Sequence, residues 1–435
     1  MINPLDQAQL LDRAAAALAI TPESVTKELK AAQDKVARGL KKLGQLSEGD
    51  LAIATVPRDE VWREDMVCLY RCRPTVDKPH PVPILIAYAL VGRFQMIDLE
   101  ADRSLVRKLL ASGFDVYFID WGLPGRAQRW HGIDDYVSGY LDRCVEVIRQ
   151  RSRAERINLM GICQGGVFST CYAALFPQKV RNLALTVTPL DFHGDLKQPQ
   201  AGAGYMNGWA RSMTAQDVDD FVDVYGSAPG ALVGFAFLMM NPVSNMTKYT
   251  TDLIEVLDDD AKLLSFLRME RWIADRPDHP GEVLRQWLKD LYQDNKLIRN
   301  QLQLGGRTVD LRRITMPVLN IYATGDTVVP VSCSREGRES FRHKRLHRIG
   351  SARWPHRDLC RRQSTENSGA HAGRMVYQTW LTRQCNSFIR VGNARLAIRS
   401  ADPAACVVRK RIRHAAPISM ESNSPDYQPQ PCAYD

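Results

Sequence analysis

The chain has 435 residues, of which 45% are hydrophobic and 25% charged, so wholesale disorder is excluded and a soluble globular protein is expected. No apolar run reaches the roughly 18 residues of a membrane span, and the start carries acids where a signal peptide carries Lys or Arg. The net charge of +9 arises in residues 331–435, which hold 19 basic and 8 acidic residues; the remainder has 39 basic and 41 acidic residues, so nucleic-acid binding is not predicted.

The ten cysteines show neither a CxxC pair nor the Cys/His spacing of zinc sites. Free thiols of this kind are typical of a reducing compartment, where disulfides do not persist. The cysteine pattern therefore predicts a cytoplasmic protein with no metal site and no disulfide framework.

In chain order, residues 1–60 are predicted to form a helical segment, with Thr21 capping a helix that continues to about Leu43. Residues 61–190 then alternate apolar and helical runs, which is typical of a mostly parallel sheet covered by helices. The predicted strands are Met66–Cys72, Pro83–Ala89, Asp115–Asp120, Ile157–Met160 and Asn182–Thr188, with Pro317–Ala323 in segment 312–334. The predicted helices are Asp102–Ser112, Asp134–Arg151 and Gly165–Phe176. The pattern predicts a doubly wound α/β fold.

Residues 191–311 interrupt this alternation. They are rich in Trp, Met and helix formers and contain the apolar run Gly230–Met240. Two interpretations stay open: a helical lid that supplies the substrate pocket, or a plain helical layer of the core.

The segment RINLMGICQGGV, residues 156–167, predicts a strand, a sharp turn and a helix with Cys163 at the tip. A nucleophile held at such a turn is strained, so its neighbours two positions away must lack side chains; Gly161 and Gly165 meet that need. The helix N-terminus is expected to favour the Cys163 thiolate and a developing oxyanion. We therefore predict an α/β-hydrolase fold with Cys163 as nucleophile. The alternative is a buried, inert cysteine in a glycine turn.

Two more segments fit this machinery. Asp326 follows the predicted strand Pro317–Ala323 and is expected to be the triad acid, although a loop aspartate also serves turn chemistry. The oxyanion is expected to bind the backbone N–H groups of Gln164 and of Leu90 or Val91, with Val91 our choice.

Four blocks carry a family resemblance: PILIAYALVGRFQMIDLEADRSLVRKLLASGFDVYFIDWG, DDYVSGYLDRCVEVIR, NLMGICQGGVFS and MPVLNIYATGDTVVP. In that order they resemble the catalytic subunit of polyhydroxyalkanoate synthases, over about Val61 to Pro330. The GICQGG box and the short N-terminal region resemble class III, whose members work with a second, helical subunit.

The resemblance implies polymerisation of (R)-3-hydroxyacyl-CoA, typically 3-hydroxybutyryl-CoA, into a storage polyester with release of CoA. Cys163 would carry the growing chain, and Asp326 matches the family acid that helps to activate the substrate hydroxyl. A second synthase subunit and the polyester granule are the implied partners, and no cofactor is implied. A thioesterase or depolymerase of the same superfamily is the alternative, followed by an inactive granule-associated protein.

The family places its catalytic histidine in a GHIG segment, and this chain has none. His347 and His356 are weak candidates, because their neighbours or their spacing from Asp326 differ from the family pattern. One set of codons for residues 352–364 reads PGGHIGIYVGGK, the family segment, when it is shifted by one base. We therefore interpret residues 335–435, an Arg-rich tail expected to be irregular, as the product of a frameshift after Pro330; the alternative is a genuine basic tail that binds granules or nucleic acid.

Overall fold

The structure is a computed structural model that describes residues 21–240, 245, 247–335 and 346–351, the last six as backbone alone. All of these residues belong to one compact unit, Met1–Asn393; the other unit, Ala394–Asp435, lies outside the described residues. The helical pattern predicted up to Ile20 also lies outside them.

An eight-stranded sheet forms the centre of the fold. Its strands are β1 (Arg58–Glu64), β2 (Val67–Cys72), β3 (Ile84–Ala87), β4 (Val116–Asp120), β5 (Ile157–Ile162), β6 (Val180–Thr186), β11 (Val318–Ala323) and β12 (Leu346–Ser351). The spatial order is β1-β2-β4-β3-β5-β6-β11-β12. The β1–β2 and β2–β4 pairs are antiparallel and the others are parallel, so the predicted mostly parallel α/β sheet is confirmed.

Both faces of the sheet are largely buried along β2 to β6 and β11, as the near-continuous apolar strands predict. Alternate residues of β3 belong to different core clusters: Leu85 and Ala87 face one cluster, and Ile84 and Ile86 face the other. Helix α4 (Gln164–Leu175) has no exposed residue. It packs against β5 and β6, and its apolar side chains belong to the first of these two clusters.

The remaining helices cover the sheet or form a cap. They are α1 (Pro22–Leu43), α2 (Leu105–Ala111), α3 (Asp142–Ser152), α5 (Gly194–Lys197), α6 (Tyr205–Ser212), α7 (Ala215–Tyr225), α8 (Gly230–Met239), α9 (Leu253–Val256), α10 (Asp260–Ala274), α11 (Gly281–Gln286) and α12 (Val331–Arg335). In the part of the chain that the structure describes, three π-helical turns lie at Asp135–Leu141, Lys248–Asp252 and Trp287–Gln293. Among the described residues no helix combines the length and the apolar character needed to cross a bilayer.

The helices α5 to α11 lie between β6 and β11, and we call this part the cap. Two short pairs of strands occur there: β7 (Ser227–Ala228) with β8 (His279–Pro280), and β9 (Gln303–Leu304) with β10 (Arg307–Thr308). Helix α8 is apolar on all sides, yet several of its side chains are exposed: Leu232, Phe235, Leu238 and Met239.

Two strands of the central sheet fall where the sequence predicted none, as do the short cap strands β7 to β10. Strand β1 begins at Arg58, inside the segment predicted to be helical, and its charged residues belong to an edge strand that faces solvent. Strand β12 lies within the tail predicted to be irregular from residue 335, and it pairs in parallel with β11. Periodicity misses such strands because pairing at a sheet edge uses backbone groups and requires few apolar side chains.

Candidate active site

The turn after β5 holds Cys163 in a backbone conformation that few side chains adopt. Its φ is 55° and its ψ −122°. The Cys163 N–H donates to the Thr186 carbonyl at 2.9 Å, and the Gly166 N–H donates to the Cys163 carbonyl at 2.9 Å. Helix α4 begins at the next residue. A strand, a strained residue and a helix thus follow one another, which is the arrangement of a nucleophile elbow.

Glycines flank this turn because no Cβ would fit there. A Cβ on Gly161 would lie 2.5 Å from the Gly166 Cα, and one on Gly165 would overlap the carbonyl oxygen of Ala87. The obstructing atoms are backbone atoms of the turn and of β3, which cannot rotate aside. The two glycines therefore allow β3, β5 and α4 to approach closely enough to present residue 163 at the sheet edge.

Parallel strands bring the predicted residues to one edge of the sheet. Cys163 follows the carboxyl end of β5, the loop 88–92 follows that of β3, and Asp326 follows that of β11. Strand β6 lies between β5 and β11. The chain order reverses between β3 and β5, which is the place where open α/β sheets form their ligand crevice.

Asp326 is buried, and its loop is held from two sides. Its Oδ1 accepts hydrogen bonds from the N–H groups of Val328 at 2.8 Å and Val329 at 3.0 Å. Gln200, which follows α5 in the cap, donates to the Asp326 carbonyl at 3.0 Å and accepts from the Val331 N–H at 3.1 Å. These contacts fix the orientation of the carboxylate.

The charge of Asp326 acts on the thiol of Cys163. Burial and then the charge of Asp326 raise the pKa of the Cys163 thiol to about 12, although the Gln164 N–H that binds the sulfur acts in the opposite direction. The helix N-terminus therefore favours the thiolate, as the sequence predicted, but lost hydration and the charge of Asp326 raise the pKa by more than one backbone N–H lowers it. The thiol needs a base before it can attack.

The two predicted candidates for the second oxyanion donor, Leu90 and Val91, differ in their hydrogen bonds. The Leu90 N–H already donates to Gln164 Oε1 at 3.0 Å in a buried contact. Within the described part of the chain, the Val91 N–H has no acceptor. The Gln164 N–H, at the first residue of helix α4, is the other predicted donor.

The candidate histidines do not complete the site. His347 is the second residue of β12 and pairs with Leu319, so its backbone lies about 13 Å before the carboxyl edge at which Cys163 and Asp326 meet. The direction of β12 therefore argues against His347 as the catalytic histidine. His356 lies outside the described residues.

Two cap residues that sequence reasoning missed contact the site. The buried ring of His279 has its Nε2 3.0 Å from Gln164 Nε2, and Arg276 donates through Nη1 to the Val91 carbonyl at 2.8 Å. No motif marks either residue, because their partners lie more than a hundred positions away in sequence. Within the described residues, no cluster of three His, Cys, Asp or Glu side chains is arranged to bind a metal ion.

The strand order, the cysteine turn after β5 and the buried acid after β11 define an enzyme of the α/β-hydrolase fold. A sequence model of the family described as "alpha/beta hydrolase fold" matches residues 82–356. The chain is also similar to proteins named "Poly(3-hydroxyalkanoate) polymerase subunit PhaC". The protein from Synechocystis sp. is 48% identical over 69% of this chain and 79% of its own length, and the one from Allochromatium vinosum is 43% identical over 73% and 86%. The chain therefore belongs to the poly(3-hydroxyalkanoate) polymerase family.

Solved structures similar to this chain include a monoacylglycerol lipase from Paleococcus ferrophilus and the mouse alpha/beta hydrolase domain-containing protein 10. The first has 16% identity and a TM-score of 0.42, covering 72% of this chain and 98% of the lipase. The second has 11% identity and a TM-score of 0.42, covering 77% of this chain and 99% of the mouse protein.

Proposed function

We propose that this poly(3-hydroxyalkanoate) polymerase builds its polyester from (R)-3-hydroxyacyl-CoA, typically 3-hydroxybutyryl-CoA, with Cys163 as the residue that carries the acyl group. The observation behind the proposal is the strained turn at Cys163, with the Gln164 N–H on its sulfur and Asp326 near enough to shift its pKa. A thiol suits this task, because exchange between two thioesters is nearly balanced and the enzyme-bound acyl group stays activated.

In the acylation step, the Cys163 sulfur attacks the thioester carbonyl and forms a new carbon–sulfur bond. The negative charge on the carbonyl oxygen is bound by the N–H groups of Gln164 and Val91. The tetrahedral species collapses, the bond to the CoA sulfur breaks, and CoA leaves with the proton taken from Cys163. Because the thiol has a raised pKa, a general base must receive that proton first.

In the elongation step, the hydroxyl of the next substrate attacks the thioester on Cys163. An ester bond forms, the Cys163 sulfur is released, and the hydroxyl proton passes to the base. The lengthened chain, now on CoA, returns to Cys163 by thioester exchange. Asp326 assists by orienting the base and favouring its protonated form. The family histidine is that base, and in this chain its position is the subject of the frameshift hypothesis.

The proposal includes a partner and a location. The relatives are named as subunits, which supports assembly of this chain with a second, helical subunit. An apolar product that stays bound to Cys163 keeps the enzyme at the surface of the growing polymer. We therefore infer a cytoplasmic enzyme on polyester granules, in keeping with its free cysteines.

Incubation with 3-hydroxybutyryl-CoA separates this proposal from the alternatives. When the protein is tested after its reading frame has been restored, polymer plus CoA supports the synthase, free acid plus CoA supports a thioesterase or depolymerase, and no reaction indicates an inactive granule protein. The variant Cys163→Ala is expected to abolish polymer formation. The matched control is Cys171→Ala, which removes a buried thiol from α4 two turns further on and is expected to leave the product unchanged. Polymer from Cys163→Ala would overturn the site assignment.

A further inference from the structure

The side chain of Gln164 makes a continuous hydrogen-bond chain between the oxyanion loop and the cap. The Leu90 N–H lies 3.0 Å from Gln164 Oε1, and Gln164 Nε2 lies 3.0 Å from His279 Nε2. Gln164 and His279 are both buried, being 2% exposed. Water therefore does not replace these contacts readily, and each donor needs its acceptor.

The Leu90 N–H determines where the protons lie on the side chains of Gln164 and His279. A backbone N–H only donates, so the amide oxygen of Gln164 must face Leu90 and its NH₂ group must face His279. The Nε2 of His279 is then an acceptor, and its proton resides on Nδ1, which faces the Pro280 carbonyl at 3.3 Å. Burial also lowers the pKa of His279 to about 4, which agrees with a neutral ring.

A second bond from the same stretch of the cap reaches the same loop. Arg276 Nη1 donates to the Val91 carbonyl at 2.8 Å. The Leu90 N–H and the Val91 carbonyl flank the peptide group that contains the Val91 N–H. Anchoring both sides of that group limits its rotation and so fixes the direction of the Val91 N–H.

The anchoring stretch is itself tied to the rest of the cap. His279 and Pro280 pair with Ala228 and Ser227, and the Gly230 N–H at the start of α8 donates to Asp278 Oδ1 at 2.7 Å. The α7–α8 region and the stretch that holds His279 are therefore joined by strand pairing and a side-chain hydrogen bond.

We propose that the Gln164 side chain and His279 are positioning residues that orient the Val91 N–H from the cap side of the oxyanion loop. The inference rests on the proposed function, in which Cys163 attacks and Val91 binds the oxyanion. Neither side chain touches the substrate; both act through the loop backbone.

Reversible addition of butyraldehyde tests this without the catalytic histidine. The Cys163 sulfur bonds to the aldehyde carbon and the thiol proton passes to the former carbonyl oxygen, which occupies the oxyanion hole. The Kd of isotope-labelled butyraldehyde, measured by NMR, is expected to rise about tenfold in Gln164→Leu and in His279→Leu. The double variant is expected to resemble either single variant, because the two residues act as one unit.

Two further variants separate positioning from general damage. His279→Gln keeps an acceptor for the Gln164 NH₂ group and is expected to restore most of the affinity lost in His279→Leu. Gln164→Glu keeps the acceptor for Leu90 but faces His279 with a carboxylate, so the pKa of His279 is expected to rise, as an NMR titration would detect. The control Asn182→Leu breaks a buried 2.8 Å side-chain bond to Asn158, at the far end of β5, and should leave the Kd unchanged.

The outcomes are distinct. Wild-type affinity in Gln164→Leu, or strictly additive losses in the double variant, overturns the positioning role and leaves the proposed function intact. Absence of the sulfur-bound adduct in the wild type, or its persistence in Cys163→Ala, removes the nucleophile and with it both proposals.

Discussion

The carboxylate of Asp326 raises the pKa of the Cys163 thiol, although the two residues follow different strands of the sheet with β6 between them. The resting nucleophile is therefore a protonated thiol beside an anion. A resting thiol is protected from adventitious alkylation and oxidation, because the thiolate is the reactive form. It becomes a nucleophile only when a base is in place.

The first prediction concerns this pair. In Asp326→Asn the pKa of Cys163 is expected to fall, since a neutral amide no longer opposes the thiolate. Alkylation of Cys163 by iodoacetamide should then become about threefold to tenfold faster near pH 9, while polymer formation slows. Asp310→Asn, which changes an aspartate bound to Arg312, serves as the control. An unchanged alkylation rate would show that the charge of Asp326 does not reach the sulfur.

The second prediction concerns the elbow glycines. Gly165→Ala is expected to lower the free energy of unfolding by about 3 kcal/mol, because its Cβ would overlap the backbone carbonyl of Ala87. Urea unfolding measures the change. Gly139→Ala is the matched control, since no atom lies within 4 Å of the added Cβ, and helix propensity should make it neutral or slightly stabilising. Equal stability of the two variants would contradict the close packing of β3 against α4.

The third prediction concerns acid stability. Burial lowers the pKa of His279 from 6.5 to about 4, so the folded state binds a proton on this ring less readily than the unfolded chain does. The resulting stability is present above pH 6.5 and is lost as the pH falls through about 4, and it amounts to on the order of 3 kcal/mol. In His279→Gln, the free energy of unfolding should therefore change less than in the wild type as the pH falls over this range.

Unfolding by urea between pH 7 and pH 4, about the range of the His279 shift, checks the third prediction. His131→Gln, at a partly exposed ring that contacts Tyr140, is the control. Its free energy of unfolding should fall with decreasing pH as steeply as that of the wild type. If His279→Gln lost stability with falling pH as steeply as the wild type, the ring would not be the group responsible.

The fourth prediction concerns the reading frame. Resequencing across codons 330–365 is expected to show a one-base shift, and restoring the frame should create the PGGHIGIYVGGK segment and raise polymerisation activity. Because Ser332, Cys333 and Ser334 are buried in α12, the shift should fall after Arg335. Strand β12 does not contradict this, since parallel pairing uses backbone groups. An intact frame throughout would remove the explanation for the missing histidine.

The sequence alone predicted the parallel core and the nucleophile turn. Apolar runs and helical periods gave the strands from β2 to β6 and β11 within about two residues, because burial on both faces leaves a strong local pattern. Glycines on either side of Cys163 were equally informative, since that backbone conformation permits few alternatives. The sequence predicted that the helix N-terminus favours the thiolate, but the raised pKa of the thiol could not be predicted, because it depends on how deeply the turn is buried and on an aspartate that follows another strand.

Only the tertiary structure decided which groups act on one another. Periodicity indicates that a residue is buried but not what it faces, so Gln164, His279 and Arg276 carried no signal until the cap lay against the oxyanion loop. Likewise, the direction of β12 relative to β11 set His347 apart from the catalytic edge. Strands and the nucleophile turn can be predicted from neighbouring residues. Proton positions and electrostatics depend instead on distances in space between residues remote in sequence.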